Sequence, residues 1–211
     1  MTLILASSSP RRRELLAKAQ LDFVTLSVDI DETVLANEVP TDYIQRMVDQ
    51  KAQAAVQALN TRRDLPKSGI VTIITADTIG VLNDGSTILV KPADFKEACA
   101  MWQSMSGTSH QVWTAVTVTK AFYDLKNNAN TWQIQAQNSL VERTDVTFVP
   151  LTDTMMQRYW DSGEPKDKAG GYGIQGLAAA WVEKINGSYT NVVGLPLAQT
   201  LALLKLPETA Y

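Results

Sequence analysis

Ile70-Val71-Thr72-Ile73-Ile74-Thr75-Ala76-Asp77 is a nearly unbroken β-branched run that ends on a carboxylate. A strand with one wet face alternates polar and apolar side chains. This run offers water no charge until Asp77, so it reads as a strand covered on both faces and closed by that Asp. Covering both faces requires helices on each side of the sheet, and the flanking sequence supplies them. Upstream, the short apolar run Leu3 to Ala6 meets Ser9, a good N-cap, and Pro10, favoured at a first helical position. A helix is predicted from Pro10, carrying Arg11-Arg12-Arg13-Glu14-Leu15-Leu16. From Asp42 to about Leu59 a second helix sets Tyr43, Ile44, Met47, Val48, Ala55 and Leu59 on one face, with Lys51 among them.

Downstream, Phe95, Cys99, Trp102 and Met105 form a helical stripe stopped by Gly107, with Cys99 and the Trp and Met residues assigned to the core. Strands are predicted at Gln111 to Thr119 and Thr144 to Val149. Between them Asp124 to Asn138, rich in Asn and Gln, reads as an exposed hairpin excursion or flexible loop. Thr152 and Asp153 cap a helix presenting Met155, Met156, Tyr159 and Trp160, closed at Gly163. Lys166 to Gly176 holds several Gly and two Lys, so its backbone can approach a ligand closely. Ala178 to Ile185 reads as a strand entering an Asn186-Gly187 turn, and Pro196 opens a last helix with Leu197, Leu201 and Leu204 inward. Strands alternate with helices, yet some neighbouring strands are joined by short turns. The fold class is therefore α/β, with a mixed twisted sheet flanked by helices.

Composition narrows the chemistry. The 211 residues, 45% hydrophobic and 19% charged, are those of a globular protein of one large domain or two small packed ones. One Cys excludes a disulfide scaffold, and one Cys with one His excludes the usual zinc sites, so any metal must be held by oxygen. A net charge of -3 without long charged blocks argues against a nucleic-acid polymer as partner. No stretch reaches the ~18 apolar residues of a membrane span. The apolar opening lacks a basic leader and runs into Ser7-Ser8-Ser9-Pro10, so a cytoplasmic protein with a small-molecule partner is expected.

Three constellations can carry chemistry. Ser7-Ser8-Ser9-Pro10-Arg11-Arg12-Arg13 lies between a strand and a helix N-terminus, where free N–H groups, hydroxyls and guanidinium forks can cradle phosphate; the same residues would serve a plain helix cap. Asp77 at a strand end sits where open α/β sheets bind ligands, and with Asp29, Asp31 or Glu32 it can hold Mg²⁺ alongside substrate phosphates. The alternatives are a turn cap for Asp77 and a solvated loop for Asp29 to Glu32. Lys51 and Lys91 can each neutralise a phosphate, or snorkel. His110 reads as a hydrogen-bonded strand-edge residue rather than a catalyst.

Taken together, Leu5-Ala6-Ser7-Ser8-Ser9-Pro10-Arg11-Arg12-Arg13-Glu14-Leu15-Leu16, Ala76-Asp77-Thr78, Lys91-Pro92, Ser106-Gly107-Thr108-Ser109-His110-Gln111-Val112-Trp113-Thr114, Asp167 to Gly176 and Ile185-Asn186-Gly187-Ser188-Tyr189-Thr190-Asn191-Val192-Val193-Gly194-Leu195-Pro196-Leu197 resemble the Maf family of nucleoside triphosphate pyrophosphatases. The resemblance runs nearly end to end. It implies a fold related to the inosine triphosphate pyrophosphatases, one domain over 1–211 whose two lobes flank a central active-site cleft, a homodimer, and a divalent metal, Mg²⁺ or Mn²⁺. It also implies a house-cleaning cleavage of nucleotides between the alpha and beta phosphates. By motif position it makes Asp77 the general base, Ser7, Arg12, Lys51 and Lys91 phosphate-handling residues, and Glu32 with Asp77 the metal ligands. Arg11, Thr78 and Gln175 match the branch acting on dTTP and UTP, whereas the branch acting on 7-methyl-GTP has an aromatic residue, Gln and Glu there. A 7-methyl-GTP pyrophosphatase and a non-catalytic nucleotide-binding regulator of septum formation are the competing readings.

Overall fold

The computed structural model describes residues 2–62, 69–124 and 131–205. Its sheet has seven strands, β1 (Thr2–Ala6), β2 (Val24–Leu26), β3 (Ile70–Val81), β4 (Ile88–Leu89), β5 (Ser109–Asp124), β6 (Thr131–Phe148) and β7 (Val182–Asn186). The order is β2-β1-β3-β5-β6-β7, and β4 pairs with the far end of β3. β1 runs parallel to β2 and β3, while all other pairings are antiparallel, so the sheet is mixed as predicted. The helices are α1 (Pro10–Lys18), α2 (Pro40–Leu59), α3 (Phe95–Met105), α4 (Asp153–Asp161), α5 (Tyr189–Val193) and α6 (Leu197–Leu204). None of them is long and apolar enough to cross a membrane.

Alternation along the strands assigns the helices to faces. Leu3, Leu5, Ile74 and Ala76 pack with Leu15 and Leu16 of α1 and Leu201 and Leu204 of α6. On the opposite face Ile79, Val81 and Trp113 meet Tyr43, Ile44, Met47 and Val48 of α2, and Ile73 meets Ala55, Val56 and Leu59. The predicted apolar face of α2 is therefore the one that covers the sheet. A third cluster, between α3, α4 and the start of β5, is aromatic: the Trp102 and Trp181 rings meet edge-on at 5.3 Å, and Tyr159 and Trp181 at 4.7 Å. Cys99 lies at its margin, partly buried rather than in the core.

Two local expectations are corrected, on the end of β3 and the start of β7, and two are made specific. β3 does not end at Asp77 but continues to Val81, paired with β5 throughout. What ends there is its parallel neighbour: β1 stops at Ala6, while Leu5 pairs with Ile74, so β3 beyond Ala76 has lost its β1 flank. Within Asp124 to Asn138 the hairpin reading holds, since Asp124 and residues 131–138 are paired strand of a long hairpin, and 125–130 lie outside the described residues. Most of this stretch of β6 is solvent-exposed, as it pairs with β5 alone before β7 joins at Asp145. An exposed edge accommodates Asn and Gln side chains without desolvating them. The segment read as a strand from Ala178 opens as a 3₁₀ turn, Leu177–Trp181, and only Val182–Asn186 is strand. Pro196 opens α6 as expected, standing at its N-cap.

Candidate active site

A cleft of about 780 Å³ opens where β1 stops. Ser7, Arg11, Arg12, Glu32, Lys51, Asp77, Thr78, Lys91 and Gln175 all line it, so every residue singled out by motif position reaches one place. The loss of the β1 flank explains how side chains from both faces of the sheet do so. Asp77 and Thr78 are neighbours on a strand and point to opposite faces. Asp77 joins the α2 side and Thr78 the α1 side.

On the α2 side the cleft is a charge relay of four groups. The Lys51 Nζ donates to Glu32 Oε1 at 2.9 Å and also to Asp77 Oδ1, and Lys91 Nζ donates to Glu32 Oε2 at 2.8 Å. Both Lys51 and Asp77 are 8% exposed, a depth at which a single unpaired charge would be very costly. Partial burial raises the Glu32 pKa, but the hydrogen bonds from Lys91 and Lys51 outweigh it and hold the carboxyl at about 2. Glu32 is therefore an anion at any working pH. Its loop is pinned to α2: Tyr43 Oη donates to the Glu32 carbonyl at 2.9 Å, and Arg46 donates to both Glu38 carboxylate oxygens at 2.6 Å and to the Thr33 carbonyl at 2.9 Å. Asp31 is spent on its own turn, accepting from the Thr33 N–H at 2.9 Å.

On the α1 side, Ser9 caps the helix as predicted, accepting from the Arg12 N–H at 3.4 Å. Arg12 then folds back into the cleft, donating from Nε to the Gly194 carbonyl at 2.8 Å and from Nη2 to Thr78 Oγ1 at 2.9 Å, with Nη1 3.5 Å from Ser7 Oγ. Burial lowers the Arg12 pKa, while Asp77 and Glu32 raise it. The opposite wall is the glycine-rich segment. A Cβ on Gly176 would lie 1.9 Å from Glu164 Oε2, so a side chain there would displace the carboxylate that caps the next turn at Leu177 N–H. Gln175, beside it, is exposed at the cleft wall. His110 lies deeper, outside the cleft lining, with Nε2 2.7 Å from the Tyr172 hydroxyl; burial holds its pKa at about 4, so it is neutral and structural, in line with its sequence reading.

Sequence reasoning missed Tyr43, Glu38 and Arg46 as parts of the site. None carries a local signal for it, since each acts through a contact formed only on folding. Metal capacity follows from the donor set. Two carboxylates, Glu32 and Asp77, already converge on one cation, the Lys51 ammonium, and hard oxygen donors of this kind fit Mg²⁺ or Mn²⁺ completed by phosphate oxygens and water. Among the described residues no group of three His, Cys, Asp or Glu side chains is gathered, so such an ion would depend on the substrate for further ligands.

The chain matches the profile of the Maf-like protein family over residues 2–206. It belongs to the Maf family. Individual relatives agree with this Maf assignment. A protein of Psychrobacter cryohalolentis named dTTP/UTP pyrophosphatase is 57% identical over 97% of this chain and 96% of its own. Proteins of the same name from Pseudoalteromonas atlantica and Vibrio parahaemolyticus are 44% and 42% identical, covering 99% and 97% of this Maf chain and 98% and 96% of their own.

Proposed function

We propose that this Maf protein hydrolyses dTTP and UTP between the alpha and beta phosphates, releasing the nucleoside monophosphate and pyrophosphate. The observation that carries the reading is the convergence, in one cleft, of a paired carboxylate on β3 with three cationic side chains from separate elements. Cleavage of this linkage develops negative charge on the departing pyrophosphate, and Arg12, Lys51 and Lys91 stabilise it in a site partly shielded from water. Asp77 accepts the proton of the attacking water. Lys51, bonded to the same carboxylate, holds it in place. Glu32 and Asp77 would hold a divalent metal, which supplies charge neutralisation and a more acidic water. Ser7 contributes a hydroxyl at the phosphate end beside the start of α1.

Base choice is assigned to Arg11, Thr78 and Gln175. An amide donates and accepts, which suits a uracil or thymine edge with two carbonyl oxygens and one N–H, whereas a Glu suits an edge of donors. The names carried by the relatives support the same substrates. The test is kcat/KM for UTP, dTTP, CTP, GTP and 7-methyl-GTP with Mg²⁺ and with Mn²⁺. Preference for UTP and dTTP is expected, and Gln175→Glu should erode it. A clear preference for 7-methyl-GTP refutes the base assignment, and binding of nucleotides without turnover points to the regulator.

A further inference from the structure

Gln175 lies between two stretches of chain that are held in different ways. Upstream, Ile174 is buried in the cluster shared with α1 and α6, and the Gly173 N–H donates to Tyr159 Oη of α4 at 3.0 Å. Downstream, Gly176 has no side chain and Leu177 is 60% exposed, so neither anchors the chain by packing. The hold there comes from Glu164, just past the end of α4. Its carboxylate oxygens Oε1 and Oε2 accept from the Leu177 N–H at 3.3 and 3.1 Å. The Glu164 carbonyl takes part as well, accepting from Lys168 Nζ. An ionised acceptor holds an N–H more strongly than a neutral one.

Gly176 completes the fit. Its backbone, at φ −102° and ψ −153°, is extended and does not itself call for glycine. Space is what excludes a side chain: the three atoms nearest to a Cβ there all belong to the Glu164 carboxylate, at 1.9, 2.6 and 2.9 Å. The carboxylate therefore lies against the backbone next to Gln175, on the side a Cβ would fill. An amide reads a base by directional hydrogen bonds, and one that swings with its backbone offers donor and acceptor in no fixed place. Arg12, Lys51 and Lys91, at the phosphate end, are held through other contacts, to Thr78, Asp77 and Glu32. Loss of Glu164 should thus be felt at the base and not at the phosphates.

We infer that Glu164 is a positioning residue for base selection, fixing the backbone that carries Gln175 through the Leu177 N–H and the space left by Gly176. The inference rests on the nucleotide hydrolase reading and on the part Gln175 plays in it. Glu164→Ala should lower kcat/KM for UTP and dTTP about tenfold, mainly through KM, and narrow the ratio of UTP to 7-methyl-GTP by a similar factor. Calorimetric binding of inorganic tripolyphosphate, which has no base, should stay within about threefold of the parent, while deuterium exchange at the Leu177 amide, read by NMR, should quicken about tenfold or more. Glu164→Gln, which keeps an acceptor oxygen, should stay within about threefold of the parent throughout. Gly176→Ala should reproduce the losses of Glu164→Ala, and the double variant should be no worse than either single one, because the new Cβ takes the space the carboxylate has left. Additive losses in the double variant would overturn the inference. So would a Glu164→Ala protein that keeps the parental ratio of UTP to 7-methyl-GTP, or that loses tripolyphosphate as strongly as UTP. A parent that binds nucleotides without turnover would instead end the hydrolase reading, and the same variants are then compared by their affinities for UTP and 7-methyl-GTP. A parent that prefers 7-methyl-GTP refutes the base assignment and this inference with it.

Discussion

Lys51→Met removes the one ammonium shared by Glu32 and Asp77 while keeping an unbranched stem on the apolar face of α2. Met should replace the packing and leave the electrostatics exposed. At 8% exposure Asp77 then sits beside Glu32 with no cation in contact, and removing one partner of a buried pair typically costs about 3–5 kcal/mol. The cleft admits water, so the lower figure, about 3 kcal/mol, is the better expectation at pH 7. With a urea m-value of roughly 2–3 kcal/mol/M for a chain of this size, the unfolding midpoint should fall by about 1–1.5 M. The pH dependence carries a second signature. Glu32 is held at about 2 in the folded protein, below its ordinary 4.5, so its contribution is present above pH 4.5 and is lost as pH falls towards 2. Nominally such a displacement is worth about 3 kcal/mol, but a side chain 39% exposed is screened, leaving about 1 kcal/mol. Lys51→Met should lose part of that acid-sensitive contribution, retaining what Lys91 supplies. Tryptophan fluorescence in urea at pH 7, 4.5 and 3 measures both effects. A midpoint at pH 7 equal to or above the parent's would refute the claim that Lys51 compensates the buried carboxylate.

Three further outcomes follow from the site. Asp77→Asn should fold and bind nucleotide but lose about 10²–10⁴ in kcat, measured by pyrophosphate release, since Asn keeps the shape and cannot take the proton; near-normal turnover would eliminate Asp77 as the base. Arg46→Ala frees Glu38 and the Thr33 carbonyl and loosens the loop that carries Glu32, so the Mg²⁺ concentration for half-maximal rate should rise several-fold with a smaller change in kcat. Exhaustive chelation should abolish hydrolysis, and Mg²⁺ or Mn²⁺ should restore it; full activity in the chelated protein would give the carboxylates another task.

The main helices and the inner strands of this fold are legible from local signals. Ser9-Pro10 marks the start of α1, the stripe from Tyr43 to Leu59 marks the buried face of α2, and the β-branched run marks β3. What local reading cannot supply is compensation from a distance. A carboxylate stops a buried strand unless something pairs with it, and the Lys51 that allows β3 to pass through Asp77 lies 26 residues upstream. Gly80 weakens a strand when read alone, but a Cβ there would lie 2.9 Å from Leu89 Cδ1, so β4 requires it. β6 is polar because most of its outer length faces water, a property of its place in the sheet rather than of its sequence. The five residues of α5 are too few to show a period, although they carry the Asn191 carbonyl that accepts from Thr114. The charged positions of the site were readable singly, as charges in apolar settings or beside a helix start; their assembly depended on β1 ending short of β3.

The most direct test is to follow UTP with Mg²⁺ by phosphorus NMR and identify the first products. UMP and pyrophosphate should form in equal amounts, with no UDP at any time. UDP and orthophosphate as first products would contradict the account, placing the attack at the gamma phosphorus.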